Sequence, residues 1–145
     1  MKIDRTRGVT LLELLVVLAL LGAAAGVAAP HVYGMMERLE VRAGALRVAS
    51  AFTRARLAAL AHGRPWRVRI VDARTLTVGP DGAPARRVHL PGAVRFVGAT
   101  SGGEVRFRPN GWAENATFTL GRGPRARSVV VNQRGRITVR SAGGS

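Results

Sequence analysis

Residues 7–30 read RGVTLLELLVVLALLGAAAGVAAP. From Val9 to Ala29 the only charged side chain is Glu13, and a run of about 20 apolar residues is what crosses ~30 Å of hydrocarbon as a helix. This segment decides the fold, because a spanning helix leaves only the remainder of the chain, about 100 residues, to build a soluble core. The flank before it carries Lys2, Arg5 and Arg7 against Asp4; that cationic excess holds the N-terminus in the cytoplasm and sends the rest outward. A secretory signal has the same basic and then apolar form, with small residues near Ala23 to Ala29 as its cleavage region. Glu13 separates the two readings. An ionised group inside an apolar span costs ~2.5–3.5 kcal/mol on insertion scales and so requires a partner, and a signal discarded after use has no need of one.

Gly8-Val9-Thr10-Leu11-Leu12-Glu13-Leu14, with a short basic leader before it and a long apolar helix after it, resembles the class III signal of type IV prepilins and type II secretion pseudopilins. The glycine, the glutamate five residues after it, the leader and the helix all coincide. Pro30 stands where many pilins have a helix-kinking proline. Val9 departs from the pattern, since phenylalanine usually follows the cleavage glycine. The resemblance implies that prepilin peptidase cuts between Gly8 and Val9 on the cytoplasmic face and that the new Val9 amine is N-methylated. It also implies a single-pass protein in contact with inner membrane lipid, N-terminus cytoplasmic and head periplasmic, which is extracted into a pilus or pseudopilus among other pseudopilins or minor pilins. The expected use of Glu13 follows: its carboxylate pairs with the Val9 amine of a neighbouring subunit, and a low dielectric makes that pair register-setting.

Beyond Pro30 the helical pattern resumes. Leu39, Ala43, Leu46, Ala49, Phe52 and Leu60 recur at helical spacing as the expected packing face, with Glu37, Arg38, Arg42, Arg47 and Arg54 as polar surface. His62-Gly63-Arg64-Pro65 stops the helix, because glycine closes a helix end and proline cannot continue one. The period then changes to two. Strands are expected near Trp66–Val71, Thr75–Val78, Arg86–Leu90, Val94–Val97, Glu104–Arg108, Thr117–Leu120, Ser128–Asn132 and Arg136–Arg140, separated by turn residues such as Pro80-Asp81-Gly82, Gly102-Gly103, Pro109-Asn110-Gly111 and Gly121 to Pro124. Their core faces carry Val68, Ile70, Phe96, Val105, Phe107, Phe118, Val129, Val131, Ile137 and Val139. The expected fold is α+β: a long N-terminal helix, half transmembrane and half amphipathic, packed on an antiparallel β-sheet head. The division is a leader at 1–8, a transmembrane helix at 9–29, its continuation at 30–63 and a β-rich head at 64–145.

The second half carries a further resemblance. VRFRPNGWAENATFTL followed by RSVVVNQRGRITVR, with Phe107, Pro109 and Gly111, then Phe118-Thr119-Leu120, then a hydrophobic strand and Gly135-Arg136, is similar to the C-terminal pattern of the GspH/FimT pseudopilin family. That likeness implies a type IV pilin-like fold and a minor subunit at or near a filament tip.

The residues themselves point away from catalysis. The chain has no cysteine, so thiolate metal sites and disulfides are excluded, and His31, His62 and His89 lack ligand spacing. No nucleophile-elbow pattern occurs, and Gly98 to Gly103 lacks the Lys-Ser/Thr of a phosphate loop. No catalytic, cofactor-binding or metal-binding residue is assigned. Trp66 and Trp112 are read as buried packing residues, with exposed stacking platforms as the alternative. What stands out is charge. The formal net charge is +15, and loss of residues 1–8 removes three cations and one anion, leaving +13. Arg122, Arg125 and Arg127 fall in one expected turn region, Arg134, Arg136 and Arg140 in another. Should these hairpin ends meet, they form a patch that holds double-stranded DNA by its phosphates without reading sequence. The alternatives are solvated charges that discourage edge pairing and contacts to anionic lipid or acidic proteins. Two functions stay open: an assembly subunit whose role resides in helix packing, and a DNA-capturing pilin on the same scaffold.

Overall fold

The computed structural model describes residues 10–142, with the side chains of 27–31 outside that description. Gly8 and Val9 lie outside the described residues. Contacts divide the chain into two units, Met1–Met36 and Glu37–Ser145. The helix α1 spans Leu11–His62. It starts behind Thr10, whose Oγ1 accepts the Glu13 N–H at 3.2 Å and whose carbonyl accepts the Leu14 N–H at 3.2 Å. Threonine at the cap with glutamate three residues on is the capping-box pattern, and it places the acid where the helix dipole favours negative charge. At the far end Gly63 takes φ 61, the left-handed conformation that closes a helix and that glycine adopts without strain.

Within the first unit every described side chain from Thr10 to Gly26 is exposed. Among the described residues no helix is long and apolar enough to cross a membrane; the expected span at 9–29 begins one residue before them, and its side chains at 27–29 lie outside that description.

The second unit holds the core. Eight strands follow α1: β1 Trp66–Asp72, β2 Thr75–Pro80, β3 Arg86–His89, β4 Arg95–Ala99, β5 Glu104–Phe107, β6 Ala116–Arg122, β7 Arg125–Val131 and β8 Ile137–Ser141. They form two four-stranded antiparallel sheets, β3-β2-β1-β5 and β4-β6-β7-β8. The chain therefore leaves the first sheet after β3, returns for β5 and leaves again for β6. A single sheet was the simplest expectation from the sequence, because alternation marks a strand and its buried face but does not name its partner.

α1 meets both sheets through small residues. Ala45, Val48, Ala51, Phe52, Ala55 and Ala59 are buried completely, and Gly44 lies so close to Leu120 and Val94 that a Cβ there would stand 3.1 and 3.2 Å from their methyls. Phe52 is the large exception. Its ring lies 6.1 Å from Phe107 of β5 and 5.0 Å, edge-on, from Phe118 of β6, within the range of favourable aromatic pairs; Phe96 of β4 meets Phe118 in turn at 6.1 Å. Val68, Leu76, Val105, Leu120, Val129 and Val131 complete the core.

The expected helix face is corrected. Phe52 is buried and Ala49 packs on the core, but Ala43 is exposed, as are Leu39, Leu46 and Leu60. At 100° per residue these four fall on the side of α1 opposite Val41, Val48, Ala55 and Ala59. Hydrophobicity alone picked the larger residues; the sheets require the smaller ones. Phe52→Ala is accordingly expected to destabilise the protein by about 3–5 kcal/mol, whereas Leu46→Ala is expected to stay within about 0.5 kcal/mol; chemical denaturation of the two variants checks the assignment.

Candidate functional site

Two features stand out once the head is assembled: the outer stripe of α1 and the distribution of arginine. The stripe comprises Leu39, Leu46, Leu57 and Leu60, all exposed. Burying a leucine contributes ~1.5–3 kcal/mol, so a row of them turned away from the core at helical spacing marks a face for packing against another apolar surface.

At the start of the second unit, α1 is fastened to the sheets by charge. Arg122, the last residue of β6, donates from Nη1 to Glu40 at 2.5 Å and sets Nε 3.9 Å from Glu37. The Glu40 carboxylate also accepts the Ala93 backbone N–H, and it lies directly over Gly92, where a Cβ would collide with it. The Arg122 hydrogen bond holds the Glu40 carboxyl below its ordinary range, against the opposing effect of desolvation. Arg74 donates to the Gly92 carbonyl from the other side. One carboxylate thus joins the helix to β6 and to the turn between β3 and β4.

The arginines singled out in the sequence do not gather in one place. β6 and β7 run further than expected, so that Arg122 and Arg125 pair directly across a two-residue turn and both belong to strands. Gly121 reads as turn in sequence, yet it sits within β6 because a Cβ there would come 2.8 Å from the Arg125 carbonyl. Arg125 and Arg127 share the strand face of Val129 and Val131. Together with Arg38 they line a cleft of about 470 Å³ whose lining contains no acid; Arg125 Nε is buried there and has no hydrogen-bond partner among the described residues. Arg140 pairs across from Ser128, which puts it near the same end of the sheet but on the other face. Arg134 and Arg136 flank Gly135 in the turn after β7, at the opposite end of that seven-residue strand, about 20 Å away. The two hairpin ends do not meet.

The acids are elsewhere engaged. Asp81 pairs with Arg67 and with Arg106, the latter at 3.2 Å, and Glu104 pairs with Arg67 at 3.0 Å and Arg69 at 2.7 Å. Among the described residues no group of histidines and acids is arranged to hold a metal ion. The Thr75 hydroxyl lies 3.0 Å from His89 Nδ1, and His62 stacks on Trp66 at 6.0 Å. Trp66 packs against the core, but Trp112 is 55% exposed, contrary to expectation. Sequence reasoning also passed over Thr10, although threonine three residues before glutamate at the head of an apolar run is a readable cap signal.

A long N-terminal helix laid on antiparallel sheets defines the type IV pilin-like class of folds. The solved structures agree: the type IV minor pilin FimU of Pseudomonas aeruginosa strain PAO1 is similar in two crystal forms. In space group P21 it is 21% identical with TM-score 0.60, covering 72% of this chain and 91% of that one. In space group P65 the values are 20%, 0.55, 68% and 90%. No curated protein matches by sequence. Residues 3–29 match the prokaryotic N-terminal methylation motif, and residues 44–135 match the family described as type II transport protein GspH. The chain belongs to the GspH family. That is a family of minor pseudopilins, structural rather than enzymatic. Its methylation motif implies processing by prepilin peptidase and anchoring in the inner membrane before assembly, and its family implies other pseudopilins as partners.

The Glu40 contact has a pH signature. A carboxyl depressed in the folded state contributes stability that is present above its unfolded value and is lost as pH falls through the folded one. The melting temperature of the wild type is therefore expected to fall between about pH 5 and pH 3, and Glu40→Gln to show a shallower fall across that window; parallel slopes would remove Glu40 from the account.

Proposed function

We propose that the chain acts as a minor pseudopilin or minor pilin: cut between Gly8 and Val9, methylated at Val9, held in the inner membrane by the helix at 9–29, and drawn into a filament or its tip with the head at 64–145 periplasmic. Glu13 sets the register of neighbouring subunits through the Val9 amine. The observation that carries this reading is the outer side of α1, where Leu39, Leu46, Leu57 and Leu60 are exposed opposite the face that meets the sheets, with Ser50 and Thr53 between them. A helix with two apolar faces is suited to stand between its own head and the helices of neighbouring subunits. The capping role of Thr10 fits the same scheme, since it fixes the start of α1 at Leu11, two residues beyond the cleavage point, and so fixes the height of Glu13 relative to the new amine.

A second reading has its own support. The cleft of Arg38, Arg125 and Arg127 collects three cations with no acid in its lining, the arrangement a polyanion requires. Here the head captures extracellular double-stranded DNA by its phosphates. The observations favour a footprint centred on this cleft over one centred on Arg134 and Arg136; Arg140, on the other face of the sheet, lies outside it.

The filament reading predicts that Leu46→Ser combined with Leu57→Ser leaves the melting transition nearly unchanged and strongly reduces the amount of protein recovered in sheared filaments, as does Glu13→Ala; full incorporation of all these variants sinks it. The DNA reading predicts affinity that falls steeply with salt, with each arginine removed from Arg125 or Arg127 lowering the slope of log K against log salt by about 0.9; binding that ignores salt, or the loss of these arginines, counts against it.

A further inference from the structure

Trp112 sits on a loop fixed at both ends. Arg108 N–H donates to the Trp112 carbonyl at 2.8 Å, Ala113 N–H to the Gln133 carbonyl at 3.0 Å and Glu114 N–H to the Arg106 carbonyl at 3.2 Å, while Asn110 Oδ1 accepts the Trp112 N–H at 3.2 Å. Ala113 also bridges Phe107 of β5. The loop is thereby stapled to the first sheet through Phe107 and Arg106 and to the second through the turn after β7. Gly111 and Gly135, both at positive φ, let the two turns approach so closely that a Cβ on Gly135 would collide with the Gly111 carbonyl and the Arg56 side chain. A tryptophan on so constrained a backbone has no need to be 55% exposed for the sake of the fold. Its ring is presented.

Around it lie two contiguous clefts. The first, about 400 Å³, is lined by Arg108, Trp112, Glu114, Asn115 and Gln133 among others. The second, about 320 Å³, shares Asn115 and Gln133 and adds Asn132 and Arg134. Both are of the size that ligand sites adopt. Main-chain bonds hold the residues that form the shared wall: the Ser101 hydroxyl donates to the Asn115 carbonyl at 2.8 Å, and the Gln133 carbonyl accepts from Ala113. Both residues are exposed and line both clefts. Asn132 spends its Oδ1 on the Arg136 N–H at 2.9 Å, which leaves its NH₂ to donate.

We infer that this groove binds a linear acidic glycan. An indole face takes the C–H face of a pyranose ring by apolar contact, planar amides offer a donor and an acceptor side by side for adjacent ring hydroxyls, and Arg108 and Arg134 at the two ends match carboxylates in bidentate fashion. A nucleic-acid strand fits less well. It calls for successive stacking faces along a continuous cationic track, whereas this groove has one aromatic, and its two arginines stand apart with neutral amides between them.

The test is fluorescence titration of the full chain, in a polyoxyethylene detergent free of sugar headgroups, with oligogalacturonate, with neutral maltooligosaccharide and with single-stranded oligonucleotide. In the Trp66→Phe background Trp112 is the only indole and its emission reports on the groove; affinity itself is read from the anisotropy of end-labelled oligomers, so that Trp112→Ala can be scored without the indole. The expected result is oligogalacturonate binding that shifts Trp112 emission, is weakened by Trp112→Ala by at least about tenfold and is weakened by Gln133→Ala with the melting temperature unchanged. Three results overturn the proposal: no glycan binding, glycan binding that Trp112→Ala leaves intact, or Trp112-dependent binding of the oligonucleotide alone.

Discussion

Everything in the head depends on how closely α1 approaches the two sheets. The sheets share no ladder in their strand order, so they are unified chiefly by what lies between them and the helix. Phe52 is the side chain that touches an aromatic of each, Phe107 on one and Phe118 on the other. For one ring to reach both, the residues around it must be small. Gly44, Ala45, Ala51, Ala55 and Ala59 meet that condition, and each added methylene on that face would push helix and sheets apart in a close-packed interior.

Electrostatics follow from the same compactness. Glu37, Glu40, Asp81 and Glu104 are drawn into contact with only four arginines, Arg67, Arg69, Arg106 and Arg122. Acids that fasten one element to another cannot neutralise the rest of a chain that carries 23 Lys and Arg. The surplus cations fall where they also have a structural use. Three of the four edge strands carry such arginines: Arg86 and Arg87 on β3, Arg95 on β4 and Arg140 on β8; the fourth, β5, carries Arg106, which Asp81 already engages. Charged edges resist pairing with other chains. The Arg38, Arg125 and Arg127 cleft is different, because those cations converge instead of being spaced out.

What sequence made legible was local. The eight strands were readable because Val, Ile, Phe and Thr alternate between clear turn residues, and α1 ends at Gly63 because the glycine and Pro65 together leave no other choice. Three things were not local and were not legible. The partition into two sheets depends on partners distant in sequence. Arg122 and Arg125 were read as turn because Gly121 looks like one, whereas Gly121 is a strand residue kept small by the Arg125 carbonyl. For Trp112 the sequence leaves burial and an exposed stacking face both open, with burial favoured by the general preference of tryptophan; the stapling of its loop decides for exposure.

The misread face of α1 is the most instructive of these. Period 3.6 was visible, and so was a row of leucines, but the helix has two apolar faces that differ in residue size. The inner face is small because it must fit against sheets already filled by Leu76, Val105, Leu120 and Val129; there, shape limits what burial can contribute. The outer face is under no such limit within one subunit, and large side chains give the most apolar area to bury when a neighbouring helix arrives. Size, not hydrophobicity, therefore tells the two sides apart: alanine and glycine mark the side packed on the sheets, and on the filament reading proposed above leucine marks the side that a neighbouring helix covers.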